Sequence, residues 1–412
     1  MNYLFNISLL SLPALSLVFA HSTSLLALLF SVSGLYFLFF AKKNDAFELK
    51  EYSGEIHFLS SLLLFAFLLF FLNLYHDERW GSYHLPIAIA LSIPAFMFFC
   101  LADLKLPAIW LGSAAGSIVA LLVAMYEILY LGADRAGYWV HNPIPFGSIA
   151  MCLSAFAIIG YQTNSGIKSA RNIFQILGCF SGFLAAILSG SKGCLLATPI
   201  LIYFLHLKIL SQLPKIHRFT LILILLFFVS LIFYNSNYFL FLRFSEAIHG
   251  AQSWFQGGRI VEGSLGPRLE LIRFGIDVGM ANPWVGIGRS GMLNLLEQAA
   301  ATGKYDIFIT QLHTLHNEFL NIFVTKGVLG LASLLTVYFF GIKYFFLVSK
   351  HKASEISDIG LAGLGLFSMF LIFGLSEVAI QLNSFRNFFL ILTVALMGIA
   401  HKKNAQLVFG SK

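Results

Sequence analysis

Twelve apolar runs succeed one another along this chain, at residues 4–20, 24–40, 57–74, 85–102, 107–130, 144–161, 173–189, 194–210, 219–236, 318–341, 359–376 and 385–401. Each is close to or beyond the length a helix needs to cross about 30 Å of hydrocarbon. A backbone in lipid must satisfy its own N–H and C=O groups, so each run is expected to be a helix. The composition agrees: 58% of the 412 residues are hydrophobic and only 11% charged, against about 25% charged in soluble domains. The 44 Phe residues suit lipid-facing and helix–helix surfaces. The expected fold is all-α, a polytopic membrane protein of about twelve transmembrane helices.

Basic residues orient these helices. With the N-terminus placed in the cytoplasm, the cytoplasmic gaps and tail hold fifteen Lys and Arg, from Lys42 to Lys412, whereas the short outer gaps hold four: Arg79, Arg135, Lys192 and Arg386. That asymmetry is the positive-inside pattern, from which long translocated loops are left out. It also explains the net charge of +7 without a nucleic-acid partner. Residues 1–20 resemble a secretory signal in apolarity but lack the Lys or Arg of its leading region, so they are expected to stay as the first span. Cys100, Cys152, Cys179 and Cys194 lie in or beside apolar runs with no paired spacing, which predicts buried, quiet thiols. Glu127 is nearly alone as a charge within the spans, whereas a pump or symporter carries several such groups.

The chain then divides into spans one to nine (1–236), one large outer loop (237–317), and spans ten to twelve with a cytoplasmic tail (318–412). A loop of this length in a compact protein is expected to fold over something and carry function. Between Arg243 and His316 six basic residues are offset by six acidic ones, so any anion site must be built from particular arginines. Gly266-Pro267-Arg268 reads as a helix start. Residues 268–280 then form a helix with Leu269, Ile272 and Ile276 on one face, and Arg268 stands in its first turn, where free N–H groups favour an anion. Taken alone, Arg268 is as readily a solvated arginine or a surface ion pair. Arg273 is explained by Glu270 three residues back.

His313 and His316 stand at the mouth of the tenth span and share a face if the helix already runs there. No third ligand stands at suitable spacing and no Asp-x-Asp pair is present, so no metal is expected. Either His can be an interfacial anchor; His316 can equally serve as a general base for a hydroxyl, since imidazole titrates near neutrality. Arg135, Lys192 and Arg268 are expected on the same outer face as His316, an arrangement that suits a lipid-anchored diphosphate.

These motifs resemble the O-antigen ligase family over roughly 132–330. The matching residues are Arg135-Ala136 with Asn142-Pro143, the Ser189-Gly190-Ser191-Lys192-Gly193 turn, and Gly266-Pro267-Arg268 with Asn282-Pro283 and Gly286-x-Gly288. The last is His316-Asn317 followed by Gly327-Val328-Leu329-Gly330. The resemblance implies a metal-independent, inverting glycosyltransferase of the bacterial inner membrane with no cofactor, its loop and site periplasmic. It would transfer a glycan from undecaprenyl diphosphate to lipid A-core. By resemblance His316 and Arg268 are catalytic, Lys192 holds diphosphate with Arg268, and Arg135, His313 and Asn317 bind substrate. The family usually has Arg at the Lys192 position; Lys keeps the charge and loses the two-pronged grip. An O-antigen polymerase or a protein O-oligosaccharyltransferase of the same fold differs only in acceptor. A lipid-linked saccharide flippase would need charges between the spans, where only Glu127 fits.

Overall fold

A computed structural model describes residues 2–19, 21–40, 53–139, 142–166, 169–214, 245, 248–250, 252–254, 265–301, 305, 309–310 and 312–409. Among these the secondary structure is entirely helical, with no strand. In order come α1 (Asn2–Val18), α2 (Ser22–Phe40), α3 (Ser53–Tyr75), α4 (His84–Leu101), α5 (Leu106–Met125), α6 (Pro143–Ile159) and α7 (Ala170–Leu188). There follow the short α8 (Lys192–Leu195), α9 (Thr198–Lys208), α10 (Gly266–Ala281), α11 (Gly288–Ala301), α12 (Glu318–Ser349), α13 (Ser354–Gly374) and α14 (Asn383–Phe409).

Eleven of the twelve expected spans fall on helices, and the ninth, 219–236, lies outside the described residues. Eight helical stretches are long and apolar enough to cross a membrane; Phe5–Val18, Ser22–Phe37 and Pro143–Ile159 are apolar but shorter. The chain is thus a polytopic helical membrane protein with eight candidate spans among the described residues.

Two helices form the centre. In α6 nearly every side chain is buried, and 89% of the apolar window of α14 is buried; a helix apolar on all sides belongs in the middle of a bundle. Small residues let backbones approach. Gly112 and Gly116 of α5 lie against Leu10 and Pro13 of α1, and Gly178 of α7 lies on Ala114 of α5, the small-xxx-small packing favoured where lipid gives no hydrophobic drive between helices. All four cysteines are free and buried as expected, and burial suits thiols that do no chemistry.

The helices α10 and α11 pack on the first half of α12 around Leu271, Phe274, Met292, Leu296, Leu315 and Val324. The buried stripe of α10 is therefore not Leu269, Ile272 and Ile276: Ile276 is half exposed. Gly275 and Gly279 lie flat against Leu320 and Phe323 of α12, and that close crossing rotates the helix so that Leu271 and Phe274 point inward.

The long helix α12 is broken at Gly327, whose φ of 65° and ψ of −166° are not helical. The gap is filled by the segment 283–287. Val328 N donates to Pro283 O at 2.7 Å, Leu329 N to Trp284 O at 3.3 Å, and Ile287 N to Val324 O at 3.0 Å. Only glycine fits at either contact: Gly327 and Gly286 both have positive φ, and a Cβ on Gly286 would stand 2.6 Å from Lys326 N. Broken helices persist in membrane proteins where protein re-satisfies the freed backbone groups.

Candidate functional site

The site is built where α12 begins and α13 ends. Asn317 caps α12, its Oδ1 accepting from Leu320 N at 3.0 Å while its Nδ2 donates to Leu375 O at 3.2 Å. The helix therefore starts after both histidines, and His313 and His316 do not share a helical face. Their non-helical segment is closed by Leu315 N donating to Asn321 Oδ1 at 3.2 Å. His316 takes a positive φ of 47°, a conformation that costs a non-glycine residue about 1–3 kcal/mol and concentrates at functional sites. The result is a ring whose Nδ1 lies 3.2 Å from Glu377 Oε2. An ionised carboxylate only accepts, so Nδ1 is the donor of this hydrogen bond, and Nε2 is the nitrogen that the neutral form of the ring leaves to accept a proton.

Glu377 lies in the turn between α13 and α14, its side chain 6% exposed. Its Oε1 accepts from its own neighbour, Val378 N, at 2.9 Å. The helices that flank this turn are joined by tilted ring pairs, with Phe370 4.5 Å from Phe385 and 4.4 Å from Phe389 between centroids. Burial pushes the Glu377 carboxyl up. The hydrogen bond and charge of His316, the Val378 N–H and the Arg268 charge outweigh it and hold the group below the usual carboxylate range.

Arg268 stands in the first turn of α10, behind buried Gly266 and Pro267. Burial lowers its guanidinium from the usual value and the Glu377 charge pulls it back. The Lys192 turn joins from another side: a Cβ on Gly193 would collide with the Ser376 hydroxyl, so the start of α8 packs directly on the residue before Glu377. Arg135 reaches the same turn, its Nε donating to Ser189 O at 2.9 Å. Arg135, Lys192, Arg268, His316 and Asn317 are thereby linked through the 375–377 turn.

His313 departs from this group. It is exposed and lines a separate cavity with Arg289 and Arg386. Arg273 is not paired with Glu270: its guanidinium lies 5.7 Å from the Tyr305 ring centre, and Glu270 accepts from Trp254 Nε1 at 2.8 Å. Glu127, late in the fifth span, accepts from the backbone N–H groups of Gly137 and Trp139 and so fastens the Arg135 loop. Among the described residues no three His, Cys, Asp or Glu side chains gather as a metal-ligand group.

Sequence reading missed Glu377. It sits at the very end of an apolar run, and only a signal that paired it with a histidine 61 residues earlier could have marked it.

Fold and site together define an integral membrane protein with a histidine–carboxylate pair on which Arg268 acts, at one end of its helices. Residues 177–335 match the family model described as O-antigen ligase. An O-antigen ligase of Escherichia coli (strain K12) is 24% identical over 263 residues, covering 60% of this chain and 61% of that protein. The matched segment carries Lys192, Arg268 and His316 and is similar to the O-antigen ligase family. The chain thus spans less than two thirds of the curated relative's length.

Proposed function

We propose that this protein is a glycosyltransferase that moves a glycan from undecaprenyl diphosphate to a hydroxyl of lipid A-core, on the periplasmic face of a bacterial inner membrane. The observation that carries the reading is the His316–Glu377 pair with Arg268 acting on the same carboxylate. The name of the Escherichia coli relative and the family match support it.

In this reading His316 Nε2 takes the proton of the acceptor hydroxyl as its oxygen attacks the anomeric carbon. Glu377 orients the ring and stabilises the imidazolium that forms. The bond between the sugar and the diphosphate breaks, and the negative charge gathering on the leaving group is met by Arg268 and Lys192. Arg135 braces the Lys192 turn through Ser189. One base and no carboxylate nucleophile gives a single displacement with inversion. The lipid diphosphate is already an activated leaving group, so orientation and charge stabilisation suffice without a metal.

The test is reconstitution. Purified protein, lipid-diphosphate-linked glycan and lipid A-core should yield glycan-bearing lipid A-core with chelator present, and the His316→Ala protein should not. Elongation of the lipid-linked glycan in place of transfer to core would make the protein a polymerase.

A further inference from the structure

The end of the bundle that carries His316 holds a second group of cations that the proposed reaction does not use. Arg386, in the first turn of α14, is only 4% exposed. Its Nη2 donates to Asn383 Oδ1 at 2.9 Å, while its buried Nε has no acceptor. No carboxylate stands within ion-pair distance of it among the described residues. A guanidinium withdrawn from water without a counter-charge is a costly arrangement, and an anion that completes it removes that cost.

Two cavities meet at this side chain. One, of about 70 Å³, is lined by further cationic or titratable groups, Arg289, Lys326, His84 and His313, beside Arg386. The carboxylate of Glu78 acts on Lys326 from outside that lining, but it is occupied by the backbone N–H groups of Arg289 and Ser290 at the start of α11. The second cavity, of about 300 Å³, shares His84, Asn383 and Arg386 with the first. It then runs between α2, α4 and α14 past Leu28, Ala88, Leu91 and Leu390. Neither cavity is lined by His316, Arg268, Glu377 or Lys192. Along α14 the apolar groove extends from Asn383 to Val394, roughly 16 Å at about 1.5 Å per residue and so about half the hydrocarbon thickness. A polar, cationic head chamber opens into an apolar slot one leaflet deep.

We infer that the joined cavities bind a phosphate-bearing lipid of one leaflet, its headgroup phosphate on Arg386 and an acyl chain between α2, α4 and α14. The planar guanidinium offers paired N–H donors that match phosphate oxygens. The orphaned Nε gains its acceptor, and the slot gives an acyl chain an apolar place inside the bundle. Arg386 and the slot residues between α2, α4 and α14 take no part in the transfer proposed above, so the site stands whatever reaction the His316 centre performs.

The test uses the purified full-length protein in neutral detergent, titrated separately with phosphatidic acid, phosphatidylcholine and inorganic phosphate. Thermal unfolding and lipid adducts in native mass spectra are read. Phosphatidic acid should raise the melting temperature and remain as an adduct, and the other two should do neither at equal concentration. Arg386→Gln should lose at least about tenfold in affinity for phosphatidic acid. Arg386→Lys should keep part of it, and Ala88→Phe should lose it by filling the slot while leaving the cation in place. The Gln variant also separates a ligand-binding role from a structural one, because with the buried charge gone the lipid-free protein should melt no lower than wild type. Equal binding of phosphatidylcholine, inorganic phosphate matching the lipid, or an Arg386→Gln protein that melts lower yet binds lipid normally would each overturn the assignment.

Discussion

Replacing Glu377 by Gln keeps the size of the side chain and its ability to accept from Val378 N, while removing the charge that faces His316. The Nδ1···Oε2 contact is 3.2 Å long with both groups largely buried. Hydrogen bonds to a charged partner are worth about 1.5–3 kcal/mol, and each 1.36 kcal/mol of barrier is about tenfold in rate. Glycan transfer should therefore fall about 10- to 100-fold in kcat. The KM for the lipid-diphosphate donor should stay level or drop, because Arg268 no longer shares its charge with a carboxylate. His316→Ala, which removes the base itself, should cost about 10²–10⁴. The two changes should not multiply: in the His316→Ala background, Glu377→Gln should add little, since Glu377 acts through the imidazole. Reconstituted transfer scored by gel mobility of the lipid A-core product gives all four rates. A double variant showing the product of the two single losses, or a Glu377→Gln protein with raised KM and unchanged kcat, would refute the pairing.

Arg268→Ala should raise donor KM and lower kcat together, with Arg268→Lys restoring only part and Lys192→Arg retaining transfer; kinetics on the same assay decide it. Gly327→Ala should destabilise the protein by at least about 2 kcal/mol, read as a lower melting temperature in detergent, because its methyl group would enter the Trp284 carbonyl at a positive φ. The Glu78 carboxyl is pushed up by burial but held below its usual value by Ser290, Lys326 and Arg289. A carboxyl depressed in the folded state adds stability above its unfolded value near about 4.3 and loses it as pH falls through the folded value. Melting temperature should accordingly drop on acidification below about pH 4, and Glu78→Gln should flatten that drop. A reporter inserted after Lys350 should read cytoplasmic and one after Ala301 periplasmic; the reverse at either place would invert the proposed topology.

The membrane class and most helix positions were legible because a span is a local property: apolar runs announce themselves residue by residue. The loop motifs were legible as motifs but not as packing. Gly286-x-Gly288 and Gly327-Val328-Leu329-Gly330 stood out only as motif residues, and that one strip fills the break in the other depends on 283–287 meeting 324–329 in space. Leu269, Ile272 and Ile276 had helical spacing, and the contact of Gly275 and Gly279 with α12 turned another face inward. At the candidate site, Arg268, Lys192 and His316 could be singled out from charge and motif. Glu377 could not, since a single acid at the end of an apolar run looks like the edge of a span. The left-handed φ of His316 is likewise invisible in a sequence.

The interlock at Gly327 limits how the unit formed by α10 and α11 can be exchanged between proteins of this architecture. The segment 283–287 lends α12 the acceptors for Val328 and Leu329 N–H and takes Val324 O in return, so neither strip of backbone is complete without the other. A chimera that transplants the loop but keeps a foreign α12 leaves the donors at 328 and 329 without acceptors. One that carries 266–288 and 318–330 together moves the clasp whole. Substitutions in the two strips should therefore compensate one another, and the pair is the smallest unit that can be grafted.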